Sequence, residues 1–262
     1  MGNGAPAFVT ERSEKSAPGR KWRTVSVPTG TVRSQSADFR AGDQSQAEIV
    51  WLHTPAPGVV GGLVKRWFDV IAATAAIVFL LPLVVCVAAA IKLLDPGPVF
   101  YRHRRIGLNG APFDCLKFRT MVVDADTVLQ RHLAANGDAA REWEQTRKLK
   151  RDPRVTPLGA AMRKTSLDEL PQLLNILKGE MSFVGPRPIV DAEVPKYGAF
   201  IAHYLAARPG LTGPWQISGR NDVDYATRVA LDRHYVEQWS LRRDLAIIAG
   251  TVRVVVTARG CY

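Results

Sequence analysis

Cysteine is scarce in this chain. Its 262 residues include three, Cys86, Cys115 and Cys261, which lie far apart and are odd in number. Zinc sites need closely spaced ligands such as C-x-x-C pairs, and a disulfide framework needs an even set of cysteines. The sequence therefore favours neither a zinc site nor a disulfide-stapled fold, and it favours reduced thiols facing a cytoplasm.

The motifs of several common enzyme classes are absent as well. The sequence has no G-x-x-x-x-G-K-[ST] phosphate loop, no G-x-G-x-x-G dinucleotide fingerprint, no H-E-x-x-H zinc helix and no G-x-S-x-G nucleophile elbow. Its five histidines stand apart from one another. These absences exclude the commonest nucleotide-binding folds and the metallohydrolases.

Acidic residues are fewer than basic ones. Lys and Arg number 35 against 24 Asp and Glu, which gives a formal net charge of +11. A basic surface attracts anions, so the composition predicts an anionic partner. Nucleic acid, a membrane surface and a phosphorylated substrate all fit this description.

Charge is absent from one long segment. The 22 residues between Asp69 and Lys92 carry none, enough as a helix to cover roughly 30 Å of hydrocarbon. Basic residues flank both ends, with Lys65 and Arg66 before the run, whereas a spanning helix normally has its basic excess on one side. Pro82, near the centre, removes a helix hydrogen bond. We expect a re-entrant hairpin of two half-helices that breaks at Pro82; a kinked spanning helix is the alternative.

These features divide the chain into three parts. Residues 1–62 are rich in Gly, Pro, Ser, Thr and Gln without apolar periodicity, which predicts a disordered tail. Residues 63–96 hold the membrane hairpin. Residues 97–262 form a cytoplasmic domain that begins with a β-hairpin around Asn109-Gly110. The predicted fold class is α+β, mostly helical, with a monotopic membrane anchor.

An adjacent carboxylate pair, Asp168 and Glu169, stands at the start of a helical segment that ends near Gly179. Ser166 and Glu169 have the spacing of a capping box, in which the carboxylates only satisfy backbone N–H groups. With Asp168 as N-cap instead, Pro171 falls at the third helical position, where its missing donor costs nothing. An ionised Asp168 there can act as a nucleophile, and Mg²⁺ would relieve the repulsion between the two carboxylates. From these residues alone, capping and catalysis are equally favoured.

Two arginine motifs further along the chain favour phosphate binding. Arg187 lies between Pro186 and Pro188, which hold its backbone rigid, so little entropy is lost when its guanidinium grips a phosphate. Arg220 follows a glycine-punctuated loop and can hold a second phosphate or the nucleotide. A rigid turn with a surface arginine is the alternative for Arg187, and the motif around Arg220 is weak by itself.

At these residues the chain resembles the bacterial sugar transferase family, the monotopic phosphoglycosyl transferases that start exopolysaccharide and O-antigen assembly. The likeness runs from about Lys65 to Tyr262, with six motifs in order. They are Lys65-Arg66-x-Phe68-Asp69, Pro96-Gly-Pro-Val-Phe-Tyr-Arg102, Lys117-Phe-Arg-Thr-Met121, Ser166-Leu-Asp-Glu-Leu-Pro-Gln172, Met181-Ser-Phe-Val-Gly-Pro-Arg-Pro188 and Arg208-Pro-Gly-Leu-Thr-Gly213.

The resemblance implies a two-step reaction. The aspartate matching Asp168 attacks the β-phosphate of a UDP-sugar, UMP leaves, and undecaprenyl phosphate takes up the phosphosugar from the enzyme. Glu169 matches the second member of the family's Asp-Glu dyad, which binds Mg²⁺ or assists proton transfer. Arg163 matches an arginine that engages the substrate phosphates. The hairpin broken at Pro82 would keep the catalytic domain on the cytoplasmic face of the inner membrane.

The C-terminal region indicates the sugar. The block from Trp215 to Asp222 and the Gly260-x-Tyr262 end resemble members that use a hexose, so glucose or galactose 1-phosphate is expected, for exopolysaccharide synthesis. The expected partners are a UDP-hexose, undecaprenyl phosphate, inner-membrane lipids and polysaccharide assembly proteins, and no nucleic acid. One alternative is the same reaction with an N-acetylated amino sugar. The other is a non-catalytic basic protein anchored to the membrane.

Overall fold

The computed structural model describes residues 8–9, 25–26, 58–218 and 224–256. The chain divides into two units, Met1–Ala56 and Pro57–Tyr262. In the first unit, β1 (Phe8–Val9) pairs antiparallel with β2 (Val25–Ser26). The remainder of the predicted disordered tail, up to residue 57, lies outside the described residues.

The described part of the second unit is mostly helical and carries two small sheets, which confirms the predicted α+β class. One sheet pairs β3 with β4 antiparallel, and the other pairs β5 with β6 in parallel. The strands are β3 (Phe100–Ile106), β4 (Pro112–Phe118), β5 (Ser182–Val184) and β6 (Gly210–Thr212). The α-helices are α1 (Gly62–Leu94), α2 (Ala125–Ala135), α3 (Gly137–Thr146), α4 (Pro157–Thr165), α5 (Gln172–Lys178), α6 (Ile201–Leu205), α7 (Pro214–Ile217), α8 (Tyr225–Glu237) and α9 (Leu241–Val256), with 3-10 segments at Leu108–Gly110, Leu167–Glu169 and Asp191–Phe200.

Strands β3 and β4 form the hairpin that the Asn109-Gly110 pair predicts. Both residues have positive φ, 56° and 76°, which lets the chain reverse within a tight turn. His103 pairs with Cys115 across the sheet, and Lys117 follows Cys115 by two residues. Because side chains alternate between the faces of a strand, these three lie on one face. Cys115 is buried there, so this is the face that turns toward the domain.

Helix α1 is one continuous helix of 33 residues with Pro82 inside it. The predicted break into two half-helices is therefore absent from the structure. Pro82 is exposed, and Leu80 and Val84, two positions before and after it, pack against the domain. This packing holds the helical backbone in place where the proline removes one hydrogen bond. Among the described residues, α1 is the helix long and apolar enough to cross a membrane, with a mean hydropathy of 2.9.

The inner face of α1 contacts the domain along its whole length. Ala73 is fully buried in a cluster with residues of β4 and α5, whereas Val87 and Ile91 pack with Phe118 and Met162. The buried or packed residues recur every three or four positions, the spacing of one helix face. They are Lys65, Asp69, Ala73, Ala76, Ile77, Leu80, Val84, Val87, Ala88 and Ile91. The opposite face exposes large apolar side chains, including Leu63, Trp67, Val78, Phe79 and Val85.

A buried ion pair ties the start of α1 to α9. Lys65 Nζ lies 2.6 Å from Asp244 Oδ2, and the two side chains are 4% and 0% exposed. Tyr235 Oη donates to Asp244 Oδ1 at 2.8 Å, and Trp239 Nε1 donates to Asp244 Oδ2 at 3.0 Å. The carboxylate therefore receives three donors, as a buried charge requires.

Arg66, the next residue, is also turned inward. Its Nη1 and Nη2 donate to the carbonyl oxygens of Ile176 and Leu177, each at 2.6 Å. These carbonyls belong to the last turn of α5, where intrahelical partners are missing. Lys65 and Arg66 are thus internal contacts of the domain. In the sequence both residues form the basic flank that precedes the apolar run, and in the structure both side chains turn toward the domain.

We expect Asp244→Ala to lower the free energy of unfolding by about 3–5 kcal/mol, because it leaves the Lys65 charge buried without a partner. Thermal unfolding of the detergent-purified protein, followed by circular dichroism, measures the change. Asp138→Ala, which removes an exposed ion pair with Arg141, is the matched control and should leave unfolding nearly unchanged. An equal effect of the two substitutions would contradict the importance of the buried pair.

Candidate functional site

The Asp168–Glu169 pair lies on a 3-10 turn, Leu167–Glu169, between α4 and α5. Helix α4 ends at Ser166, whose φ of 58° reverses the chain, and α5 begins only at Gln172, after Pro171. Neither expected capping arrangement is present, because the side chains of Ser166 and Asp168 do not cap α5. Ser166 instead terminates α4, and Pro171 takes the N-cap position, where its missing N–H costs nothing.

Asp168 is buried, with 9% of its surface exposed. Burial raises the pKa of this carboxyl above its ordinary value of 3.8, while the nearby charges of Lys117 and Arg163 act in the opposite direction. The neighbouring Glu169 raises the pKa further. Burial thus makes the Asp168 carboxyl costly to ionise, and the charges of the two cations favour its ionised form. Such a poised group is a candidate for chemistry rather than for a structural cap.

Lys117 holds the second carboxylate. Its Nζ lies 2.6 Å from Glu169 Oε1, with the two side chains 29% and 35% exposed. Lys117 belongs to the Lys117–Met121 motif, and the sequence alone predicts no role for it. Side chains alternate between the two faces of a strand, so Lys117 lies on the same inner face of the hairpin as the buried Cys115. This alternation is the feature of the sequence that could have indicated where Lys117 points. Its contact with Glu169 joins residues 52 positions apart and is not visible in the sequence.

Arg163 lies close enough to the carboxylate pair for its charge to act on Asp168. It belongs to the last turn of α4, and its Nε donates to Thr120 Oγ1 at 2.9 Å. Thr120 is buried at the end of the Lys117–Met121 motif and fixes the direction of the guanidinium. The structure therefore brings Arg163 and Lys117 to Asp168 from two different elements.

Arg187 belongs to a second group of side chains. Its guanidinium lies 5.1 Å from the centre of the Trp215 ring, and that of Arg228 lies 4.5 Å from the same ring. The contacts that the structure gives Arg187 are with this group and not with the carboxylate pair. Arg220, the third expected phosphate ligand, lies outside the described residues.

The inner face of the β-hairpin connects the two groups. The charges of both Lys117 and Arg187 act on His103, whose pKa is lowered first by burial and then by Arg105. Arg105 Nη1 donates to the carbonyl oxygen of Pro188, next to Arg187, at 3.0 Å. We call Lys117, His103, Arg105 and Arg187 the basic strip. It runs from the carboxylate pair to the Trp215 group and suits an extended ligand with several negative charges.

The carboxylate pair offers few ligands to a metal ion. Among the described residues, no three His, Cys, Asp or Glu side chains lie together in a way that could hold one. Mg²⁺ is commonly bound by one or two carboxylates together with substrate phosphates and water. Asp168 and Glu169 fit that mode, provided that a bound phosphate supplies the remaining oxygens.

Comparison with known proteins identifies close relatives. The model of the bacterial sugar transferase family matches residues 60–258. The chain is 57% identical over 203 residues to the exopolysaccharide production protein ExoY of Rhizobium meliloti, covering 78% of this chain and 90% of that protein. It is 48% identical over 198 residues to the undecaprenyl-phosphate galactose phosphotransferase of Salmonella typhimurium, covering 76% of this chain and 41% of the relative. It is 42% identical over 216 residues to the UDP-glucose:undecaprenyl-phosphate glucose-1-phosphate transferase of Caulobacter vibrioides, covering 79% and 75%.

Proposed function

We propose, because this chain belongs to the bacterial sugar transferase family, that it transfers hexose 1-phosphate from a UDP-sugar to undecaprenyl phosphate. The chain is accordingly a phosphoglycosyl transferase, and the group that it transfers is glucose 1-phosphate or galactose 1-phosphate. Relatives named for each of the two hexoses support this choice, and the likeness to a protein named for exopolysaccharide production supports a role at the first step of that synthesis. The observation that carries the proposal is the buried Asp168 carboxylate beside the Lys117 and Arg163 cations.

The first step uses Asp168 as a nucleophile. A carboxylate oxygen attacks the β-phosphorus of the UDP-sugar, the bond from that phosphorus to the bridging oxygen breaks, and UMP leaves with the electron pair. The sugar phosphate is then bound covalently to Asp168. Lys117, Arg163 and the basic strip stabilise the negative charge that spreads over the phosphoryl oxygens in the transition state.

The second step returns Asp168 to its starting state. A phosphate oxygen of undecaprenyl phosphate attacks the same phosphorus, and the carboxylate leaves. Glu169 lies next to Asp168 and, once Lys117 turns to the substrate, can ligate a cation or accept a proton. Mg²⁺ held by Asp168 and Glu169 would neutralise charge on the diphosphate.

We also propose that the protein is monotopic, with both ends of α1 on the cytoplasmic face of the inner membrane. The inner face of α1 packs on the domain from Lys65 to Ile91, so a straight crossing would pull the domain into the bilayer. The outer face, rich in exposed apolar side chains, suits the lipid of one leaflet. The lipid phosphate would then lie at the depth of the catalytic domain.

The reaction is tested by measuring UMP release from detergent-purified protein with Mg²⁺ and undecaprenyl phosphate, across UDP-glucose, UDP-galactose and their N-acetyl forms. We expect release with one hexose donor, and a loss of about a thousandfold or more for Asp168→Asn. Without acceptor, label from the sugar should stay on the wild-type protein and not on Asp168→Asn. Asp191→Asn, which changes an exposed acid of the domain, is the matched control and should keep full turnover.

The other outcomes of this assay are equally clear. Release with an N-acetylated donor alone would show that the transferred sugar is an N-acetylated amino sugar and not a hexose. Full turnover by the Asp168→Asn variant would show that Asp168 is not the nucleophile. No release with any of the four donors would contradict the proposed reaction and favour a non-catalytic membrane protein.

Removing Lys117 should change the pH dependence of turnover. Its positive charge lowers the pKa of Asp168, so Lys117→Met raises that pKa, and the acid limb of kcat/KM moves to higher pH. Lys178→Met, which removes an exposed cation of α5, should leave the limb in place. A limb that stays or moves to lower pH in Lys117→Met would show that turnover does not depend on ionised Asp168.

The path of α1 is tested with single cysteines at its two ends. In a chain whose Cys86 and Cys261 are replaced by Ser, Leu63→Cys and Leu94→Cys occupy exposed positions. We expect an impermeant maleimide to label both cysteines in inverted membrane vesicles and neither cysteine in right-side-out vesicles. A cysteine on the catalytic domain, Val123→Cys, should give the same pattern and serves as the reference for the cytoplasmic side. Labelling of the two ends from opposite sides would demonstrate a spanning helix.

A further inference from the structure

The chain that leaves β4 passes both the carboxylate pair and the last turn of α4. Lys117, within β4, places its Nζ 2.6 Å from Glu169 Oε1. Thr120 follows three residues later, and its Oγ1 accepts a hydrogen bond of 2.9 Å from Arg163 Nε. Three residues span at most about 10 Å, so both contacts belong to one short stretch of backbone. This stretch holds one member of the carboxylate pair at one end and Arg163 at the other.

Thr120 is bound to α4 through its backbone as well as through its side chain. Its carbonyl oxygen accepts a hydrogen bond of 3.1 Å from the backbone N–H of Thr156, the N-cap of α4. The next residue, Met121, pairs with Val155 in an isolated antiparallel bridge. The Thr120 side chain lies in the interior, where neighbouring atoms leave it little freedom to turn. These contacts fix Thr120 relative to the first turn of α4.

Gly159 permits α4 to approach Thr120 this closely. A Cβ atom on Gly159 would overlap the carbonyl oxygen of Thr120 and lie 2.8 Å from its Cα, closer than such atoms approach. Arg163 comes four residues after Gly159 and therefore lies on the same face of the helix. The face of α4 that packs on the Thr120 backbone is thus the face that carries Arg163.

The hydrogen bond to Thr120 occupies one of the five N–H donors of Arg163. The residue is exposed, and within the described part of the chain neither its Nη1 nor its Nη2 has a hydrogen-bond or ion-pair partner. The two Nη groups form a planar fork that matches two oxygens of a phosphate. An arginine already held at Nε loses less freedom when this fork binds an anion, and the binding is correspondingly tighter.

We propose that Thr120 is a positioning residue, whose hydroxyl holds the Arg163 guanidinium so that its two Nη groups bind a phosphate of the nucleotide donor beside the carboxylate pair. The identity of the donor rests on the proposed function. Thr120 does not touch the donor in this account. Its hydroxyl reduces the freedom that Arg163 loses on binding, and the contact between Gly159 and Thr120 sets where the arginine lies.

The test uses the full chain in detergent and reads two quantities: the affinity for UDP with Mg²⁺ by calorimetry, and kcat/KM for the UDP-sugar donor. Thr120→Val keeps the shape of the side chain but removes the acceptor of Arg163 Nε. We expect both quantities to fall about tenfold, because the arginine fork is no longer held in place. Thr120→Ser keeps the hydroxyl and should stay within about threefold of the wild-type chain. Thr146→Val, which removes an exposed hydroxyl bound to the carbonyl oxygen of Glu142, is the matched control and should change neither quantity.

A double variant separates positioning from a general structural role. If Thr120 acts through Arg163, Thr120→Val should change UDP affinity less than about twofold in an Arg163→Ala background, because the donor to its hydroxyl is already gone. An undiminished loss in that background would overturn the proposal, as would wild-type UDP affinity in Thr120→Val or an equal loss in Thr120→Ser. Thermal unfolding identifies any variant that fails to fold, and Thr120→Ala, which introduces no new group, then takes the place of Thr120→Val.

The two proposals can fail separately. If the wild-type chain binds UDP but turns over none of the UDP-sugars, the proposed reaction is wrong, and the UDP affinities of the variants still decide the role of Thr120. If turnover is normal and UDP affinity does not depend on the Thr120 hydroxyl, the reaction stands and the positioning role is wrong. A wild-type chain that does not bind UDP would show that Arg163 holds no nucleotide phosphate, which also overturns the positioning role.

Discussion

The buried pair of Lys65 and Asp244 is the contact on which the placement of the long apolar helix α1 depends. Ion pairs of this kind add little net stability over an apolar pair, because both charges must leave water. They do exclude alternatives, since any other packing of α1 would leave one of the charges buried and alone. An apolar helix could slide or rotate on an apolar surface, and the pair between α1 and α9 permits one arrangement.

From this pair a short series of contacts leads to the candidate site. Arg66 follows Lys65 and binds the last carbonyls of α5, and the first residue of α5 comes three positions after Glu169. The long apolar helix α1 is thus joined through α5 to the carboxylate pair. In the proposed reaction the acceptor is a lipid phosphate, so the depth of Asp168 relative to the membrane decides whether that phosphate can reach it. The polar contacts of α1 set this depth.

Sequence patterns predict what depends on neighbouring residues. The Asn109-Gly110 hairpin, the helical class and the proximity of Arg163 to the carboxylate pair all follow from short-range spacing or from motif likeness. The features that the sequence does not reveal depend on residues that are far apart or on a choice between neighbouring elements. Pro82 does not break α1 because distant residues pack on both sides of it, and Lys65 and Arg66 turn inward because partners 179 and 110 positions away receive them. Ser166 terminates α4 instead of capping α5, a choice between two adjacent helices that local propensity leaves open.

The reactivity proposed for Asp168 depends on a balance between burial and charge. Burial raises the pKa of the carboxyl and makes its oxygen a stronger nucleophile, whereas Lys117 and Arg163 favour the ionised form. Lys117 is 29% exposed, so it can exchange its contact with Glu169 for a phosphate oxygen of the donor. That exchange would release Glu169 for Mg²⁺ only when the donor arrives. Before binding, the cation and the carboxylate neutralise each other, and the site carries no unpaired buried charge at this position.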